Sequence, residues 1–174
     1  DRSSLELRQL GGDAPPASLR HAKLSPDGRQ VGYVRDGDLF VEEISTGRVR
    51  QLTTTAGPDL VNGAFDWVYE EEFEMRDGWR WSPDGRALVF WEIDTGGVRR
   101  FPLIDQVSGL YPEIQWIPYP KAGDKNPAAR AGIIDHHGDY HRAVALLGKA
   151  DKPGVRVLRA ANLGGAGLAA RHHA

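Results

Sequence analysis

A five-residue turn that occurs twice constrains this chain most. Ser25-Pro26-Asp27-Gly28-Arg29 returns 57 residues later as Ser82-Pro83-Asp84-Gly85-Arg86, and an alternating apolar segment follows each copy. Proline presets φ for the turn, aspartate bonds its own backbone, and glycine accepts positive φ. Such a turn joins neighbouring antiparallel strands, so its repetition implies a repeated antiparallel sheet. The strands expected around the first copy are 19–24, 30–35, 39–44 and 49–53, linked by Asp36-Gly37-Asp38 and Ser45-Thr46-Gly47. Those expected after the second are 87–92, 98–104 and 114–117, and a further short strand is expected over 5–10. Four-stranded sheets repeated at this spacing suggest β-propeller blades, about two of them. A plain antiparallel sandwich is the alternative architecture.

Composition supports the turn-rich reading: 21 Gly and 11 Pro in 174 residues punctuate short segments. A net charge of −2 and no Lys/Arg stripe exclude the electrostatic footprint of a nucleic-acid binder. The absence of cysteine excludes disulfides, thiolate metal sites and a cysteine nucleophile. No run reaches 18 apolar residues, so no membrane-spanning helix is expected in this segment. The start, Asp1-Arg2-Ser3-Ser4, has neither an initiator Met nor a signal pattern and reads as an excised piece.

Between the two turns lies Asp66-Trp67-Val68-Tyr69-Glu70-Glu71-Glu72. Residues 65–75 read as a short helix inserted between blades. Asp66 suits its N-cap, and the acidic run suits the positive end of the helix dipole. Neighbouring carboxylates point to opposite faces of a strand. On a helix they lie about 100° apart, and two long Glu side chains then reach one point. Glu71 and Glu72 are therefore candidates to hold one ammonium group. The competing account is a solvated acidic face.

Asp66-Trp67-Val68-Tyr69-Glu70-Glu71-Glu72-Phe73 resembles the signature of the N-terminal propeller of the dipeptidyl peptidase IV family. Trp81-Ser82-Pro83-Asp84-Gly85, Tyr119-Pro120-Lys121-Ala122-Gly123 and Asn126-Pro127 follow in the order this resemblance requires. The likeness covers roughly residues 19–130. It implies an all-β, partial β-propeller of about two blades with a short inserted helix. It also implies substrate-binding roles for Glu71 and Glu72, which would grip the free N-terminal amine of a peptide with Pro or Ala near that end. The expected partner is an α/β-hydrolase domain carrying the serine nucleophile, and the resemblance suggests an exported or periplasmic parent and leaves a homodimeric one open. None of the seven serines lies in a Gly-x-Ser-x-Gly elbow, so no catalytic residue is expected in this chain and it is not expected to hydrolyse peptides alone. A non-catalytic propeller module that binds a protein partner is the alternative function.

The repeat logic is expected to end near residue 130. Residues 131–174 read as a divergent, irregular tail with a short helix over 140–147 and a strand over 154–158. His136, His137, Asp139 and His141 form a local cluster that reads as a polar turn rather than a metal site, and His172-His173 as a loose end. No metal or cofactor is expected. His21 is read as structural. The segment 119–127 is read as a rigid crossing without chemistry, and most of Trp67, Trp79, Trp81, Trp91 and Trp116 as blade-packing residues.

Overall fold

A computed structural model describes residue 5, residues 7–15 and 17–136, and the backbone of 140–141 and 146–147. The first sheet is a four-stranded antiparallel meander: β1 Arg20–Leu24, β2 Gln30–Arg35, β3 Asp38–Glu43 and β4 Val49–Gln51, in that order. The β2–β3 hairpin turns on Asp36 and Gly37, at φ 51 and 81, the paired positive values that an Asp-Gly hairpin turn requires. The two repeated turns are built alike. In the first, the Ser25 hydroxyl donates to Asp27 Oδ1 (2.6 Å), which also accepts the Arg29 N–H, while Ser25 Oγ accepts the Gln30 N–H. In the second, Ser82, Asp84, Arg86 and Ala87 make the same three bonds at 2.6, 3.1 and 3.0 Å. Gly28 and Gly85 have φ of 69 and 70.

The second sheet departs from a simple meander. Its centre is β7 (Ala87–Asp94), which pairs along its length with β10 (Ala128–Asp135). The other side of β7 carries β5 (Leu60–Asn62) at one end and β6 (Trp79–Trp81) at the other. β5 lies outside the strands expected from the sequence. The strands expected over 98–104 and 114–117 form β8 (Arg100–Asp105) and β9 (Glu113–Pro118), but they pair only with each other, as a two-stranded ribbon. Phe101, Leu103, Ile104, Ile114 and Trp116 are exposed on it, so the ribbon lacks the one buried face that would seat it in the sheet. Among the described residues, the molecule is thus a partial, open, all-β propeller-like unit with one short helix.

Three expectations are corrected. The described residues of 5–10 are in no strand: buried Glu42 takes the Gly11 N–H (2.6 Å) and the Arg8 guanidinium (3.3 Å), and Leu7 stays fully exposed. Here a side chain, not a neighbouring strand, satisfies the incoming segment. Regular pairing also continues past Arg130 to Asp135 in β10. Of the helix expected over 140–147, the described ends are strands instead: Tyr140–His141 (β11) and Leu146–Leu147 (β12) pair with β10. The strand expected over 154–158 and the His172-His173 end lie outside the described residues, as do His137 and Asp139.

The main core joins the sheets. Val34, Leu39, Val41 and Leu52 of the first half pack with Trp79, Leu88, Phe90 and Ile134 of the second. Trp79, 1% exposed, is the central piece, and its ring covers Gly32 of β2. A smaller cluster of Phe65, Ile93 and Ala129 receives Val61, Tyr69 and Trp91 at its margin. That cluster roots the helix.

Candidate functional site

Helix α1 spans Trp67–Phe73. Asp66 has extended backbone and its carboxylate accepts the Tyr69 N–H (3.3 Å), so the N-cap read from the sequence is in place. Asp66 is also half-buried, and burial raises its pKa above the usual carboxylate value against the opposing pull of its backbone hydrogen bonds. Glu74 ends the helix in the left-handed region at φ 54. The helix has no fully buried residue. Tyr69 holds it to the body, its ring 5.4 Å from Phe65 and 5.8 Å from Phe73.

The three glutamates of this short helix differ in their partners. Glu70 Oε1 accepts a hydrogen bond from Arg20 Nη2 at 2.8 Å, across 50 positions of sequence. Arg20 reaches it from an irregular point in β1, where the register shifts between Arg20 and Lys23 and His21 adopts φ 55. Such a bulge re-aims a side chain out of the regular strand alternation. His21 is half-buried, its Nε2 has no partner among the described residues, and burial lowers its pKa. Glu71 and Glu72, by contrast, are exposed and take part in no ion pair with any described residue.

Glu72 lines an open cavity of about 410 Å³ with Trp67 and Val68 of the helix. The facing wall is Tyr119, Pro120, Lys121 and Ala122, which follow β9. The Trp67 and Tyr119 rings meet at 4.7 Å, and Tyr119 continues to Phe101 at 5.5 Å. A second apolar cavity of about 360 Å³ lies on this aromatic wall, between Trp67, Phe101, Leu103, Ile117, Tyr119 and Lys121. Segment 119–127 is therefore more than a crossing: its first four residues form half of the cavity that Glu72 enters. Sequence reasoning missed this because the Trp67–Tyr119 contact spans 52 positions and leaves no periodic trace. It missed Arg20 for the same reason. Of the five tryptophans, Trp79 is core as expected, Trp81 is half-buried beside it, Trp91 is half-buried against the Phe65–Ile93–Ala129 cluster, and Trp67 and Trp116 are exposed.

Chemically, the cavity offers one unpaired carboxylate, Glu72, one ammonium, Lys121, and flat aromatic surface, while Glu71 is exposed beside Glu72 on the helix and does not line the cavity. Among the described residues, no group of three His, Asp or Glu side chains is placed to hold a metal ion.

Comparison with known proteins gives one answer. The family model of the dipeptidyl peptidase IV N-terminal region matches residues 1–159. Dipeptidyl aminopeptidase B of Saccharomyces cerevisiae is 35% identical over 138 residues, covering 76% of this chain and 16% of that protein. A protein of Podospora anserina described as a probable dipeptidyl-aminopeptidase B is 33% identical over 147 residues, covering 78% of this chain and 16% of its own. The crystal structure of Porphyromonas gingivalis dipeptidyl peptidase 4 superposes with a TM-score of 0.65 at 31% identity, over 77% of this chain and 19% of that one. The chain thus spans about one-sixth of the relatives it matches. On the extent of the family match and the agreement of the fold, this chain belongs to the dipeptidyl peptidase IV N-terminal region family.

Proposed function

We propose that α1 is the amine anchor of a dipeptidyl peptidase IV-like serine exopeptidase. In this reading Glu71 and Glu72 grip the free N-terminal ammonium of a peptide with Pro or Ala near that end. The nucleophile belongs to an α/β-hydrolase domain of the parent enzyme, since this chain carries no Gly-x-Ser-x-Gly elbow. The observation that carries the reading is the unequal use of the three glutamates. Arg20 occupies Glu70, while Glu71 and Glu72 remain exposed and unpaired among the described residues. A peptide amine titrates near 7.7–8.0 in water, and two adjacent carboxylates raise that value, so the bound amine stays charged at neutral pH. Its hydrogen bonds to carboxylate oxygens are then charge-assisted and short. Anchoring the chain end makes the enzyme an exopeptidase, because only the bonds nearest the amine then lie within reach of a fixed nucleophile.

Calorimetric titration of the 174-residue chain with Ala-Pro and with N-acetyl-Ala-Pro tests this. The free amine should bind and the acetylated peptide should not. Glu71→Ala and Glu72→Ala should each weaken Ala-Pro binding by roughly 10- to 100-fold, the worth of a hydrogen bond to a charged group. Equal binding of both peptides, or unchanged affinity in both variants, would refute the assignment and favour a non-catalytic module that binds a protein partner.

A further inference from the structure

We infer that Lys121 selects the side chain of the peptide's first residue, favouring acidic over basic ones. The inference rests on the amine-anchoring role proposed for Glu71 and Glu72, and it deepens that role. The anchored nitrogen is bonded directly to the first residue's Cα, so that residue's side chain branches one bond away from the atom held at Glu72. The space beside Glu72 is the cavity of about 410 Å³ whose opposite wall carries Lys121. That volume exceeds what a single amino-acid side chain fills, so the first side chain fits with room for water. The cavity contains one acid and one base at different places. With the acid engaged by the substrate's own amine, the remaining charge is the Lys121 ammonium.

Lys121 is exposed, and its Nζ lies 5.6 Å from the centre of the Phe101 ring. No carboxylate among the described residues pairs with it, so an incoming acid displaces no ion-pair partner. The Trp67 and Tyr119 rings flank the same space and accept the apolar stem of a Glu side chain. A basic first side chain meets like charge in that space and a small apolar one is indifferent, which orders the substrates Glu-Pro, Ala-Pro, Lys-Pro.

The test titrates the 174-residue chain with Glu-Pro, Ala-Pro, Lys-Pro and N-acetyl-Ala-Pro. Glu-Pro should bind roughly five- to tenfold more tightly than Lys-Pro, the combined effect of one partly exposed attraction and one partly exposed repulsion. Lys121→Gln should bring the two affinities together, and Lys121→Glu should reverse their order. If Ala-Pro binds only with its amine free while Glu-Pro and Lys-Pro bind alike, the selectivity inference is overturned and the amine anchor stands. If acetylation makes no difference, both fall together. A Glu-Pro preference that survives Lys121→Glu also overturns the inference, because it then arises from another charge.

Discussion

Replacing Gly32 by alanine probes the contact that holds the two sheets together. A Cβ built on Gly32 lies 2.6 Å from Trp79 Cη2, 3.1 Å from Cζ3 and 3.3 Å from Cζ2. Ordinary contact begins near 3.4 Å. The indole must therefore retreat by a sizeable fraction of an ångström, and its surroundings resist. Trp79 is 1% exposed, and the ammonium of Lys23 sits 4.1 Å from its ring. Overpacking of this kind costs about 1–3 kcal/mol. Gly32 is not in the left-handed region, so alanine also removes unfolded-state freedom and returns about 0.4–1 kcal/mol. The net expectation for Gly32→Ala is a loss of about 1–2 kcal/mol, read from urea unfolding followed by far-UV circular dichroism. The atoms that clash all belong to the outer ring of the indole. In a Trp79→Phe background that ring is absent, and the further cost of Gly32→Ala should fall toward zero in a double-mutant cycle. A Gly32→Ala protein as stable as the parent, or an equal cost in both backgrounds, would refute the packing argument. It would also unsettle the placement of α1, because the same packing brings Arg20 of β1 to Glu70 of the helix.

Four other outcomes are expected. Asp66→Ala should lower stability by about 1 kcal/mol through loss of the helix cap, measured by thermal or urea unfolding. Asp66→Asn keeps the capping oxygen and removes a partly buried charge, so it should match or exceed the parent at neutral pH. Because burial raises the folded pKa of Asp66, its charged form is the penalised one, and the advantage of asparagine should fade as the pH falls through that value. Asp27 and Asp84 behave oppositely. Hydrogen bonds from the Ser25 and Ser82 hydroxyls, joined by backbone N–H groups, hold both carboxyls below the usual range. The unfolded chain therefore binds more protons than the folded one in this window. Stability should be fully present above pH ~4, fall as the pH drops toward the folded-state values, and depend less on acid in an Asp84→Asn variant followed by urea unfolding from pH 5 to 2. Finally, the apolar side chains exposed on the β8–β9 ribbon and the open sheet edges should make the chain self-associate with rising concentration. A sharp monomer by light scattering at high concentration would count against that.

Local chemistry wrote much of this fold into the sequence. The Ser-Pro-Asp-Gly-Arg turns require a positive-φ glycine and a carboxylate two residues after a serine, so both were legible and both are built alike. The four strands of the first sheet follow one another through short turns, and their alternation located them within a residue or two. The capped helix was legible because Asp66 and the acidic run interact within one turn of chain. Contacts between distant segments were not legible. The β8–β9 ribbon has the same alternation as a sheet strand, and only the missing cover over its faces tells them apart. β5 is too short for its pattern to register, and the segment at 5–10 went to a buried carboxylate instead of a ladder. The same division applies to the site. Its acidic residues and their helix come from sequence, because capping and side-chain spacing act over three or four residues. Which glutamate is engaged and which are free was decided by Arg20, 50 positions away, and the wall that faces Glu72 by the return of the chain after β9. Tertiary packing alone sets those distances, since no local preference of either segment encodes where the other will lie.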